Sequence, residues 1–401
     1  MKRVVSLYAS LVVASVAGCQ DGSLAPGVQR TLGPSFDAAA TSFTCPTNPT
    51  VTVSDEAALR AALAAAHPGD VIAINGTIAI TADDTIATNA VTLTCAAPGT
   101  GLVATGSNVL DMLTVVARGD VVTGLVLDGT LAGDSPYFVV NDGVAAFAQD
   151  AVFTHNTVVC AFFGECVFFA GGTGAVVADN VMTADNALSG IQLQANGPDQ
   201  TAIPLPIRVD GARIQRNTVV ATSPSGGGIF GGIRPFDASG LVITNNVVTG
   251  PWRRSFSGTR LSDSRIMGNQ LQGALLYGIR TSAGGFVSPA GLVVRNLFIG
   301  NQVTGAGLAG VFAQKACANE FLANDLRGNA GDLGVLLNDS TGANVVAGVN
   351  NAIVIDNGAF DCNGDGRIDP NIVTGGARRG TVPGEAAINT PSRKARGVMP
   401  L

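Results

Sequence analysis

Phe153-Thr154-His155-Asn156-Thr157-Val158 is a phrase that this chain keeps rewriting: an apolar residue, two variable residues, Asn, a variable residue and another apolar residue. It returns as Val177-Ala178-Asp179-Asn180-Val181-Met182, Ile214-Gln215-Arg216-Asn217-Thr218-Val219 and Ile243-Thr244-Asn245-Asn246-Val247-Val248. Ile266-Met267-Gly268-Asn269-Gln270-Leu271, Phe298-Ile299-Gly300-Asn301-Gln302-Val303 and Phe321-Leu322-Ala323-Asn324-Asp325-Leu326 continue it. Successive Asn residues stand 24, 37, 29, 23, 32 and 23 positions apart, the length of one supersecondary unit, so the chain reads as stacked coils.

A second short run, led by Gly, follows these phrases: Gly190-Ile191-Gln192-Leu193, Gly232-Ile233-Arg234, Gly278-Ile279-Arg280, Gly310-Val311-Phe312-Ala313 and Gly334-Val335-Leu336-Leu337. Val, Ile, Phe and Thr dominate both kinds of run without helical periodicity, which predicts strands joined by tight turns. Asn tolerates left-handed backbone at a turn, and its amide can stack on the same Asn one coil away, so a ladder of Asn is expected.

The pattern resembles the right-handed parallel β-helix superfamily, the pectate-lyase-like solenoids, over about residues 50–350. The resemblance implies an all-β solenoid of three parallel sheets around an apolar interior, in a superfamily rich in carbohydrate-active members; it does not fix an activity. The expected β-helix covers 45–355. Residues 55–66 read as a capping helix that plugs its open end, with Ser54 as N-cap, Asp55 and Glu56 in the first turn and Pro68-Gly69 as the stop. Residues 356–401 read as an Asp/Asn/Gly turn and a disordered tail.

Aromatics make up 5% of the 401 residues and Gly supplies 52 of them, so the core is expected to use Val, Ile, Leu and Ala. A net charge of −6 argues against a nucleic-acid surface. Lys2-Arg3, the apolar Val4 to Val16, and Val16-Ala17-Gly18-Cys19 form an export signal that looks like a bacterial lipobox. That likeness implies a signal peptide over 1–18, lipidation of Cys19 and a flexible tether over 19–44, hanging the protein from a membrane of the cell envelope. A monomer is expected.

The other six cysteines, Cys45, Cys95, Cys160, Cys166, Cys317 and Cys362, suit an oxidising compartment and permit 15 pairings. Cys160 and Cys166 flank a short turn and Cys45 and Cys95 bracket the first coil, which would leave Cys317 with Cys362.

Alternation along strands turns Gln192, Arg234 and Arg280 outward into one column on consecutive coils. Asp237 lies near the longer loops, and Trp252-Arg253-Arg254 offers an aromatic platform with two guanidinium groups. Arginine forks match the carboxylates of acidic sugars, although outward Arg on a solenoid is more often solvated or paired with Asp. The long intervals put extra residues at Ala195 to Asp210 and Ser282 to Gly291, where they would line a groove. The Gly-His-Gly stretch and clustered Asp that mark the superfamily's hydrolases, and the Arg-x-Pro-x-x-Arg stretch of its calcium lyases, are absent, so whether the chain is an enzyme stays open.

Asp361-Cys362-Asn363-Gly364-Asp365-Gly366-Arg367-Ile368-Asp369 resembles the calcium loop of EF-hand and dockerin repeats, with Asp361, Asn363, Asp365, Arg367 and Asp369 at ligand positions. Position twelve is Ile372 where that family needs an acid. The stretch suits a weak calcium site and a plain Asn/Asp/Gly turn equally. Two functions follow: a protein that binds polysaccharide, with cleavage by β-elimination as its enzymatic form, and a non-catalytic structural or adhesive solenoid.

Overall fold

The computed structural model describes residues 43–140, 150–161, 164–195, 209–223, 231–282, 292–338, 341–350, 352–375 and 377–379. Most coils lay down one strand on each of three sheets. Val152–Thr154, Thr157–Ala161 and Glu165–Ala170 make one coil, and Val176–Ala178, Val181–Asp185 and Ser189–Gln194 the next. Every pairing is parallel and joins a strand to its equivalent on the neighbouring coil, as in Phe153 with Val177 and Val167 with Ile191. Among the described residues the sheets hold 13, 16 and 9 strands. The chain is a right-handed parallel β-helix.

Inward side chains repeat at the coil spacing and fill the interior in columns. Phe153, Val177, Ile214, Ile243, Ile266, Phe298, Phe321 and Val346 form one column, all fully buried. Phe298 and Phe321 stack at 4.8 Å between ring centroids, so the core uses more aromatic surface than the composition suggested. Burial of such columns is the main favourable term, at about 25 cal/mol per Å² of apolar area.

The Asn ladder forms as expected. Asn156, Asn180, Asn217, Asn246, Asn269, Asn301 and Asn324 are buried, and each amide donates to the next through Nδ2, for example Asn246 to Asn269 Oδ1 at 2.9 Å. The left-handed backbone belongs not to Asn but to the residue before it: His155, Asp179, Arg216, Asn245 and Ala323 have φ between 51° and 59°, and Gly268 and Gly300 take the same role. Asn is selected for its amide, which satisfies buried backbone groups that the turn strips of partners. A second ladder, Asn296-Asn319-Asn344-Asn371, runs along another edge through the same bonds. The sequence reading missed it.

Helix α1 spans Glu56–Ala65 and buries Leu59 and Leu63 against the first coils. Its N-cap is Asp55, whose carboxylate accepts the Ala58 amide at 2.8 Å, rather than Ser54. Arg60 fastens the plug by donating to Asp84 at 2.7 Å. At the other end the solenoid runs past 355. Ile372–Thr374 pairs with Val345–Ala347, and Arg378–Arg379 pairs with the strand at Ile353–Asp356. The reason is the ladder, which Asn371 extends by one more rung.

Disulfides join Cys45 to Cys95, Cys160 to Cys166 and Cys317 to Cys362, the pairings expected. Residues 1–42, with the expected signal peptide, Cys19 and nearly all of the expected tether, lie outside the described residues, as do 380–401.

Candidate functional site

The outward face of the sixteen-strand sheet is shaped by the Gly-led runs. Ile191, Ile233 and Ile279 point inward, and so does the position before each: a Cβ on Gly190, Gly232 or Gly278 would run into Val219, Val248 or Val303. Glycine is therefore required by close approach of the coils. This irregularity leaves two outward columns. One carries Glu165, Ser189, Gly231, Arg254 and Tyr277. The other carries Phe168, Gln192, Arg234, Ser257, Arg280 and Phe312.

The predicted column of Gln192, Arg234 and Arg280 exists, with one correction: the coil bearing Ser257 separates Arg234 from Arg280. Arg234 Nη1 donates to Gln192 Oε1 at 2.7 Å. Arg253 enters the same strip, half-buried, beside Arg254. Trp252 does not. It is 0% exposed, packed among core side chains, and cannot serve as an exposed platform. Asp237 is likewise buried and pairs with Arg260 at 3.1 Å, while Arg260 lies over the Phe236 ring at 4.5 Å. Its partner holds it in the scaffold. Of the long insertions, 196–208 and 283–291 lie outside the described residues.

Charge is divided along this face. Arg234, Arg253, Arg254 and Arg280 gather on the later coils, where burial and then their mutual repulsion depress Arg254 to about 9. Burial also lowers Arg280 and Arg234, the latter opposed by the Glu165 carboxylate. On the earlier coils stand Asp111, Asp134 and Glu165. Burial, then neighbouring carboxylates, push Asp111 and Glu165 up to about 8. Asp134, which keeps exposed surface and hydrogen-bonds to Glu165, rises to about 6. Like charges this close cannot all ionise together, so part of this group holds protons at neutral pH.

Tyr277 stacks on Phe312 from the next coil, with centroids 4.7 Å apart and planes 20° from parallel. The pair supplies the aromatic surface that Trp252 does not. A signal for Tyr277 was present in the sequence, since it directly precedes Gly278 as Ser189 precedes Gly190. Glu165 and Asp134 had none, because Cys166 and Ser135 follow them where Gly follows Ser189 and Tyr277.

The 361–369 loop folds on itself. Asp361 accepts amides from Gly364 and Gly366, both at 2.7 Å, Asp365 accepts that of Arg367 and Asp369 that of Cys362. Asn363 donates to Asp365. Among the described residues no group of three or more His, Cys, Asp or Glu is placed to hold a metal ion, and position twelve, Ile372, lies in a strand of the solenoid. These residues fit a turn better than a calcium site.

No family model matches the chain, and no curated protein matches it. Among solved structures it is similar to the A-module of mannuronan C-5 epimerase AlgE6 of Azotobacter vinelandii, at 15% identity and a TM-score of 0.46 over 81% of this chain and 94% of that one. It is similar to the Dettilon tailspike protein at 11% identity and a TM-score of 0.43, where it spans 64% of the tailspike chain and the match covers 79% of its own. A PL6 family polysaccharide lyase of Pseudopedobacter saltans aligns at 12% identity and a TM-score of 0.36, covering 84% of this chain and 94% of that one.

Proposed function

We propose that this is an exported protein that binds polysaccharide along the outward face of its sixteen-strand sheet, with the arginine strip directed at acidic sugars. One contrast carries the reading. At exposed positions elsewhere this chain pairs Arg with a carboxylate on the same or a neighbouring coil, Arg118 with Asp150, Arg216 with Asp179, Arg295 with Asp263 and Arg327 with Asp325, or, at Arg213 and Arg265, leaves it to solvent. Arg254 and Arg280 have no such partner among the described residues, though both sit in a strip of like charge. Guanidinium groups held together without counter-charge are arranged for an anionic ligand. The column repeats at the strand spacing, about 4.8 Å, which suits a polymer laid along the solenoid.

Binding of uronic-acid oligosaccharides, followed calorimetrically, should weaken at least tenfold in the variant Arg234→Ala with Arg280→Ala. Equal affinity in variant and parent would remove this face from consideration. Cleavage by β-elimination, the enzymatic form of the same reading, leaves an unsaturated product that absorbs in the ultraviolet, so an absorbance screen over uronic-acid polymers separates binding from lyase activity. If neither signal is found, the role left is that of a structural or adhesive solenoid.

The three disulfides are those of an exported chain. Attachment to a membrane through lipidated Cys19 belongs to the proposal and rests on the sequence around Val16-Ala17-Gly18-Cys19. Cys19→Ala should move the protein from the membrane to the soluble fraction, and unchanged partitioning would dispose of the anchor. More than one acyl chain is needed for stable attachment.

A further inference from the structure

Arg254 is 7% exposed, yet its Nε and Nη1 have no hydrogen-bond partner. The charged side chains that act on it are those of Arg280, Arg253 and Arg234, all of its own sign. A buried, unpaired guanidinium is among the most destabilising arrangements a side chain can adopt, and it persists here beside two features that suit a ligand. Ser257, on the same strand and 1% exposed, has a hydroxyl without a partner between the Arg234 and Arg280 positions. Tyr277 occupies the next place in the Arg254 column, half-exposed and backed by Phe312.

We infer that Arg254 is the centre of a subsite for one oxyanion carried on a sugar ring: Arg254 and Arg280 bind the anion, Ser257 Oγ adds a hydrogen bond, and the ring lies against Tyr277. This rests on the polysaccharide reading above and makes it specific to a residue. Five N–H donors in a planar fork match a carboxylate or a sulfate ester, and the arrangement needs no rearrangement when the anion arrives, because no internal partner has to be displaced. Arg254 is then a binding residue whose cost to the fold is offset only when the ligand is present.

Calorimetric titration of the exported protein with trigalacturonate, with its methyl ester and with a sulfated galactan trisaccharide tests this. The parent should prefer a charged saccharide over the ester by at least tenfold. Arg254→Gln should abolish that preference and raise Tm, since it removes an unpaired buried charge. Arg254→Lys, which keeps the charge without the fork, should recover only part of the preference. Tyr277→Leu should weaken charged and neutral saccharides alike. Dependence on Arg254 for the sulfated probe alone identifies a sulfate ester as the anion, and for trigalacturonate alone a carboxylate. If Arg254→Gln leaves the preference intact, or lowers Tm, the subsite is wrong while the polysaccharide reading stands. If the parent binds none of the three saccharides, that reading fails and the subsite with it.

Discussion

Asn217 Oδ1 accepts two hydrogen bonds from Asn180, one from the backbone amide at 3.1 Å and one from Nδ2 at 2.8 Å, across 37 residues of sequence. Asn217 Nδ2 in turn reaches Val177 O at 2.8 Å and Asn246 Oδ1 at 2.9 Å. One amide thus binds three coils, with both of its hydrogens and its oxygen committed. Asn217→Ala leaves several buried groups without partners, at about 1–3 kcal/mol each before relaxation. The variant should unfold at clearly lower urea concentration with an unchanged slope. A loss under about 0.5 kcal/mol, the level of an ordinary surface change, would mean that the ladder contributes little to stability.

Gly232 tests the other repeated position. A Cβ there meets Val248 Cγ1 in the interior and Ser255 O at 3.0 Å. Gly232→Ala should destabilise by about 1–3 kcal/mol through overpacking and displace Arg234 two residues on, so saccharide binding should fall together with Tm. A variant as stable as the parent would show that the coil can shift to admit the methyl group, and that glycine is not required.

The sequence carried the solenoid well because the same steric problem recurs on every coil and receives the same answer: Asn for its amide, Gly where coils approach. It misled where a residue type was read without its face. Trp252 looked like a platform because tryptophan beside two arginines suits a sugar, but the register turns it into the core. Asp237 looked available, and Arg260, 23 residues later, holds it. Gln192, Arg234 and Arg280 came out rightly as one column because strand alternation decides their side. Arg254 was legible as a residue but not as a site, since what sets it apart is the absence of a partner. The acidic group at Asp111, Asp134 and Glu165 comes from three coils with unlike local sequence, and only the fold assembles it.

Stability should fall as pH rises from about 4 to about 8. Asp120 and Glu165 are buried, with carboxyls raised by desolvation to about 7 and about 8, and Asp111 is raised to about 8. A folded-state pKa above the unfolded one means that the native state binds more protons in that interval. The stability these groups contribute is complete below pH 4 and is lost as pH climbs through their folded values. Asp120 Oδ1 accepts the Val91 amide at 2.8 Å while Oδ2 has no partner. Asp120→Asn keeps the acceptor and removes the charge, so it should raise Tm at pH 8 and leave it almost unchanged at about pH 3.5, below the unfolded-state value. A parent protein equally stable at both pH values would contradict the burial of these carboxyls.

The same titration should govern ligand affinity, through a different route. Glu165 faces Arg234, whose charge it supports, and shares a hydrogen bond with Asp134. Near pH 5.5 most of this group is protonated, so an acidic saccharide on the arginine strip meets little opposing charge. As pH passes through about 6 for Asp134 and about 8 for Glu165 and Asp111, the carboxylates appear, repel the ligand and compete for Arg234. Affinity for trigalacturonate should therefore fall between pH 5.5 and 8.5, while affinity for its methyl ester stays level. Glu165→Gln should flatten the profile without lowering affinity at pH 5.5. If affinity for the acid instead holds steady or rises over this range, the ligand does not reach the earlier coils, and binding is confined to the surroundings of Arg254 and Arg280.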